Sequence, residues 1–210
     1  MRALTLLGTL LAIATGAADA RAETFEQAAA GAKAVRVDDL VWAVAAPCTG
    51  GDDTQNRQCR ILRDQRAKQV AGATLLVEAD ADALTVGAWD KARKSVPLRL
   101  TACIRCKGIE ISGRTYVVQG GSTATAPTLF DNTRRFADEA AATAWIKSVQ
   151  TVRVELLIKG DKHPWQASGA DGLGFDVIGY RVTTPCDGSI VLASPAAAAV
   201  PADKTACKAP

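Results

Sequence analysis

Histidine occurs once and methionine once, and aromatic residues make up only 5% of the 210 residues. The single imidazole, His163, leaves little scope for general-base chemistry. No G-x-S-x-G elbow, P-loop, dinucleotide fingerprint, H-E-x-x-H or haem C-x-x-C-H is present, which removes the enzymes built on those short motifs. No apolar run is long enough for a permanent membrane anchor, so a mature chain without a transmembrane segment is expected. Neither sign of charge dominates: 25 Lys and Arg face 22 Asp and Glu, a net +3. With 48% hydrophobic and 22% charged residues, the composition excludes a wholly disordered chain, a collagen-like repeat and a polytopic membrane protein. No cofactor is predicted.

What the chain does have is a leader and a set of cysteines. Residues 1–22 read as a secretory signal peptide. Arg2 supplies the positive start, and the run Ala3 to Ile13 is apolar apart from Thr5, Gly8 and Thr9. Two overlapping small-x-small signals, Ala18-Asp19-Ala20 and Ala20-Arg21-Ala22, predict cleavage after Ala20 or Ala22. Residues 23–193 are then expected to form a single globular domain and residues 194–210 an Ala/Pro-rich tail. The expected location is exported, either periplasmic or secreted.

All six cysteines follow that leader. An even number in an oxidising compartment predicts disulfides. The spacing groups them into three local pairs, Cys48–Cys59, Cys103–Cys106 and Cys186–Cys207. On the chain-entropy view each short loop contributes roughly 2 to 3.5 kcal/mol if the native geometry accepts the bond.

Periodicity and turn residues predict an α+β fold with a mainly antiparallel sheet, or a small barrel, with two or three helices and disulfide staples. Helices are expected at 24–34, at 54–71 capped by Asp52 or Asp53, and at 134–149 capped by Asp131 or Thr133. Strands are expected at 35–44, 74–77, 84–89, 96–104, 109–111, 116–118, 152–158, 175–182 and 190–192. From Leu84 onward the element order also matches an OB-type Greek-key barrel, which stands as the alternative. Asp38-x-Leu40-x-Trp42-x-Val44-x-x-Pro47-Cys48 echoes Asp176-x-Ile178-x-Tyr180-x-Val182-x-x-Pro185-Cys186, as two strands ending at equivalent sheet edges would.

Three features bear on function. Cys103-Ile-Arg-Cys106 could be a redox dithiol with Cys103 as nucleophile, since Arg105 favours a thiolate. Its flanks read as strand, whereas a redox C-x-x-C opens a helix, so a structural disulfide is the preferred reading. Followed by Lys107-Gly108, the same four residues also resemble one zinc knuckle. Tetrahedral zinc needs four ligands, and neither a second close pair nor a histidine partner is at hand, so no metal is assigned.

The second feature is Gly160 to Gly174, expected as a fifteen-residue connection holding His163 and Trp165. Trp165 is either an aromatic platform for a sugar ring or a partner's side chain, or the anchor of its own loop. The third is charge: residues 54–107 hold eleven basic and five acidic side chains. The preferred reading is a solvated face with ordinary pairing, such as Asp64 with Lys68. The alternative is that Arg60 and Arg63 on the second helix mark a surface for an acidic protein or an anionic envelope polymer. Nucleic acid is disfavoured by export and by the scarcity of aromatics for stacking. The function expected is a non-enzymatic exported binding or interaction module of the cell envelope. The alternatives are a thiol-disulfide oxidoreductase and a zinc-binding structural protein.

Overall fold

The computed structural model describes residues 24–45, 47–167 and 169–203. The predicted leader and Cys207 lie outside these residues. The fold is α+β. In chain order it comprises α1 (Phe25–Ala30), β1 (Lys33–Ala34), α2 (Val37–Val44), α3 (Asp53–Val70), β2 (Thr74–Ala79), a 3-10 turn (Ala81–Ala83) and β3 (Leu84–Val86). There follow β4 (Ser95–Thr101), β5 (Cys103–Ile111), β6 (Arg114–Gly120), β7 (Thr128–Arg135), α4 (Glu139–Ser148), β8 (Arg153–Ala167), β9 (Ala170–Thr183) and β10 (Ile190–Ser194).

The strands form two sheets. The larger runs β1-β2-β8-β9-β6-β5, and the smaller runs β3-β4-β7. Pairing is antiparallel except for β1 with β2 and β6 with β9. One edge of β9 is shared: β6 takes residues 171–175 and β10 takes residues 180–183. No barrel closes among the described residues, so the small-barrel and OB-type expectations give way to open sheets. Leu75, Val77, Ile104, Tyr116, Val118, Leu156, Ile158 and Phe175 fill the core of the larger sheet.

Residues 35–44 are a correction. Residues 37–44 form α2, not a strand, because Val37, Leu40, Val41 and Val44 recur at i, i+3, i+4 and i+7 and are all buried. The echo between residues 38–48 and 176–186 therefore pairs a helix with a strand and carries no common geometry. The helix α3 starts where expected, on a capping box in which Asp52 accepts from Gln55 N–H (2.8 Å) and Gln55 accepts in return (3.2 Å). Cys59 is bonded to Cys48, with their Cα atoms 5.7 Å apart, which straps α3 to the segment leaving α2.

Residues 128–135 are a second correction. They form β7 on the edge of the small sheet, and the last helix begins only after its cap, Asp138, which accepts from Ala141 N–H at 2.8 Å. From Asn132 to Arg135 every side chain in β7 is exposed, so no apolar alternation marks it. A third correction concerns residues 160–174. They are not an unstructured connection: β8 and β9 continue as a two-stranded arm from Lys162↔Phe175 to Ala167↔Ala170.

The stretch after Ser194 is tied back. Phe25 N–H donates to Ala196 O (2.9 Å), Ala198 N–H to Glu26 Oε1 (3.0 Å), Val200 N–H to Gly188 O (3.2 Å) and Asp203 N–H to Pro185 O (2.9 Å). Cys186 is disulfide-bonded, and its predicted partner lies outside the described residues. The turn beyond it is organised by Asp187, whose Oδ1 accepts from the Thr184 hydroxyl and from Ser189 N–H. These hydrogen bonds, that from Thr184 foremost, hold the Asp187 carboxyl down at about 2, from an ordinary 3.8. A carboxylate lowered on folding adds stability above its unfolded value and loses it as pH falls through the folded one. The turn and the tail pinned to it are therefore expected to loosen between pH 3.8 and about 2. A carboxyl-detected NMR titration checks this; an unshifted midpoint for Asp187 would remove the turn from the acid response.

Candidate functional site

The arm of β8 and β9 builds a cleft lined by aromatic rings through a side chain that is absent. Trp165 lies across from Gly172, and its indole packs on the glycine backbone. A Cβ at residue 172 would sit 2.0 Å from the indole ring carbons. Large aromatics laid over a cross-strand glycine stabilise a pair that glycine alone would weaken. The ring so placed forms one wall of a cleft of about 470 Å³. Val44 and Ala45 at the end of α2, the Tyr116 ring from β6, and Pro164, Gln166, Asp171 and Leu173 of the arm complete it.

Tyr116 connects three elements. Its ring is buried in the core and its hydroxyl donates to Ala45 O at 3.3 Å, holding β6 against the end of α2. Burial pushes the phenol pKa up, and the nearby Asp171 carboxylate adds to this while Arg114 opposes it, so the group is a neutral donor at physiological pH. Asp171 accepts from Gln166 Nε2 (3.2 Å) and pairs with Arg114 (3.5 Å). A carboxylate and an amide thus sit beside two aromatic rings. The Trp165 Nε1–H is buried and has no acceptor among the described residues. Such orphan donors are uncommon and call for a partner.

A larger cavity, about 530 Å³, lies at the start of α2 and is lined by Arg36, Asp38, Glu78, Arg105 and Glu155. Its charges are already matched: Arg36 with Asp38 (3.6 Å), Arg105 with Asp80 (3.0 Å), Glu78 with Arg153 (3.8 Å) and Glu155 with Arg181 (2.7 Å). Its wall offers no uncommitted charge for a ligand, and the smaller aromatic cleft is the better candidate.

The other residues singled out by sequence fall elsewhere. His163 pairs through its backbone with Gly174, two positions along the arm from Trp165. Arg60 and Arg63 lie on α3 and do not line the cleft. Arg60 Nε donates to Asn56 O at 3.3 Å, and Arg63 pairs with Asp64 at 3.6 Å. Beside them Ile61 and Leu62 are half exposed, at 49% and 50%, so α3 presents apolar as well as basic groups to solvent.

Cys103 and Cys106 are bonded to each other at the start of β5. Three residues of regular strand would hold their Cα atoms roughly 10 Å apart. Here they are 5.5 Å apart, because the ladder with β6 shifts register between Cys103 and Arg105. The disulfide therefore clips a bulge. No helix begins there, and Arg105 is engaged by Asp80 at 3.0 Å. Asp80 and Asp82 bring carboxylate oxygens within 4.8 Å of Cys103 Sγ, where negative charge opposes a thiolate nucleophile. Lys107 pairs with Asp82 at 2.7 Å.

Tyr116, Gln166 and Asp171 went unassigned in the sequence. One signal could have found the last two: a hairpin turn at Gly169 puts Trp165 opposite Gly172 and Gln166 opposite Asp171. Comparison with known protein families, curated proteins and solved structures finds no match to this chain.

Proposed function

We propose that the protein is an exported, non-enzymatic binding module of the cell envelope, and that it takes its ligand in the cleft beneath Trp165. The leader read in residues 1–22, the disulfides and the absence of a membrane-spanning helix among the described residues support export. The observation that carries the binding assignment is the Trp165–Gly172 stack, an aromatic wall beside the Asp171–Gln166 pair. That combination matches a sugar ring, whose C–H face packs on aromatics and whose hydroxyls bridge a carboxylate and an amide. Two walls of the cleft are covalently continuous through the arm, so the site is pre-formed and needs no folding of a loop on binding.

A titration with envelope-type oligosaccharides, N-acetylglucosamine oligomers among them, is expected to perturb the Trp165 indole N–H resonance. Trp165→Ala is expected to weaken binding by about 2 kcal/mol, roughly 30-fold, the loss typical of a central aromatic anchor. Equal binding by wild type and variant, or no response of the Trp165 resonance to any oligomer, would overturn the assignment. Recovery of an acidic protein partner that depends on Arg60 and Arg63 but not on Trp165 would move the binding face to α3.

A further inference from the structure

The small sheet ends in a strand with a single neighbour. β7 pairs with β4 on one side, and no strand pairs with it on the other among the described residues. Its ladder is regular from Ser95↔Arg135 to Leu100↔Phe130, and every side chain from Asp131 to Arg135 is exposed. In antiparallel pairing, hydrogen-bonded positions alternate along a strand. Phe136 N–H donates to Lys94 O at 3.0 Å, so Arg134, Asn132 and Phe130 also turn their backbone groups towards β4. Arg135, Thr133 and Asp131 then turn theirs outward. Pro97, opposite Thr133, agrees: it has no N–H, and its carbonyl accepts from Gly87 N–H at 2.9 Å on the β3 side. Thr133 N–H is met by the adjacent Asn132 Oδ1 at 2.8 Å rather than by β4, and a partner's carbonyl can take that place.

We propose that β7 is the contact strand of a twofold homodimer, pairing antiparallel with β7 of a second copy of this chain about Thr133. Outward backbone groups must meet outward groups, so the axis falls on a residue rather than between two. About Thr133, Asp131 faces the partner's Arg135 and Arg135 faces the partner's Asp131, all on one face of the sheet. Each facing pair of outward residues exchanges both of its N–H to C=O bonds, and the small sheets join as β3-β4-β7-β7-β4-β3. The two charges are available for this. Neither Asp131 nor Arg135 has an ion-pair partner in its own chain among the described residues. Arg99, opposite Asp131 on β4, donates its Nε and Nη2 to Thr128 Oγ1 instead, at 3.3 and 2.9 Å.

Charge selects this register over its neighbours, since opposite charges facing across strands stabilise a pair and like charges destabilise it. An axis on Asp131 would set that carboxylate against its own copy, and an axis on Arg134 would do the same to a guanidinium. An axis on Asn132 would leave Asp131 facing Thr133 and Arg135 facing Leu129. Only Thr133 pairs both charges, and symmetry does so twice, as a self-complementary contact requires. A regular edge with outward backbone groups is a template for strand addition. One strand edge is small against the roughly 1,200 Å² at which stable interfaces begin, so association is weak and rises with concentration. This surface belongs to the small sheet, apart from the Trp165 cleft, and stands whether or not the cleft binds sugars.

The test is analytical ultracentrifugation of the full chain from micromolar to millimolar concentration, where monomer is expected to give way to dimer. Asp131→Arg and Arg135→Asp, each alone, set like charges opposite each other at both ends of the pairing. Each is expected to weaken self-association at least about tenfold. Mixed together, the two variants regain both ion pairs in a heterodimer, and association is expected to return to wild-type strength. Two misfolded chains would not rescue each other in this way. In wild type, amide exchange is expected to slow with concentration at Asp131, Thr133 and Arg135, while Asn132 and Arg134 stay protected throughout, a readout that needs no variant. A chain monomeric at every concentration, or a dimer indifferent to either charge reversal, would overturn the proposal. So would variants that are folded by circular dichroism yet stay apart when mixed, or protection that does not alternate along β7.

Discussion

Replacing Glu155 with alanine is expected to destabilise the protein by about 3 kcal/mol, at the lower end of the range for removing one partner of a buried ion pair. The reason lies with Arg181, only 13% exposed, whose Nη2 and Nε meet Glu155 Oε2 at 2.7 and 2.8 Å. Glu155 is itself 16% exposed, so water cannot take its place cheaply. Arg181 keeps a second, longer contact to Glu26 at 3.3 Å, and its guanidinium lies 4.7 Å from the Phe25 ring centre. Those residual contacts place the loss near 3 rather than 5 kcal/mol. The same network reaches the tail, because Glu26 Oε1 also accepts from Ala198 N–H. Urea denaturation reads the loss, and a change under about 1 kcal/mol would mean that the pair is hydrated. A Glu155→Met/Arg181→Met double variant, which buries no charge, is expected to recover most of the stability.

Gly160→Ala is expected to cost more than the 1 to 3 kcal/mol usual for a methyl forced into a packed interior. A Cβ at residue 160 would sit 1.7 Å from Val70 O and 2.7 Å from Val70 C. The obstacle is backbone at the end of α3, which cannot rotate aside as a side chain could. Gly160 N–H also donates to Ala73 O at 2.8 Å, locking this approach. The matched control is Gly31→Ala, where the added atom meets nothing within 4 Å and stability is expected to stay within about 0.5 kcal/mol. Comparable denaturation midpoints for the two variants would show that α3 and β8 do not approach this closely. Because Gly160 stands at the root of the arm, the same variant is expected to displace the cleft wall.

How much of this could be read from the chain depends on the range of the forces involved. Local pairs were legible: the caps at Thr24 and Asp52, and the Cys48–Cys59 and Cys103–Cys106 bonds, are set by residues a few positions apart. The α2 segment was misread because β-branched Val35, Val37 and Val44 suggest a strand, while burial follows the 3.6-residue spacing of Val37, Leu40, Val41 and Val44. In the arm, Gly169, Gly172 and Gly174 look like loop punctuation. Yet Gly172 is there to receive Trp165, and only Gly169, at φ +82°, serves the turn. Trp165 was legible as a candidate, either platform or anchor of its own loop. The contact of Tyr116 with Ala45 was not, since it arises only through tertiary packing of elements distant in the chain.

The placement of β9 has a consequence for assembly. Within the larger sheet β2 waits for β8, and β6 waits for β9, so the strands made first have no permanent neighbours but β1 and β5 until residues 153–183 exist. Polypeptides whose sheets depend on remote sequence close slowly. A growing chain of this kind leaves its larger sheet open through most of its synthesis, and a copy cut short before Arg153 would keep the β3-β4-β7 sheet, the β5-β6 hairpin and the short β1-β2 pair but not the sheet that joins them.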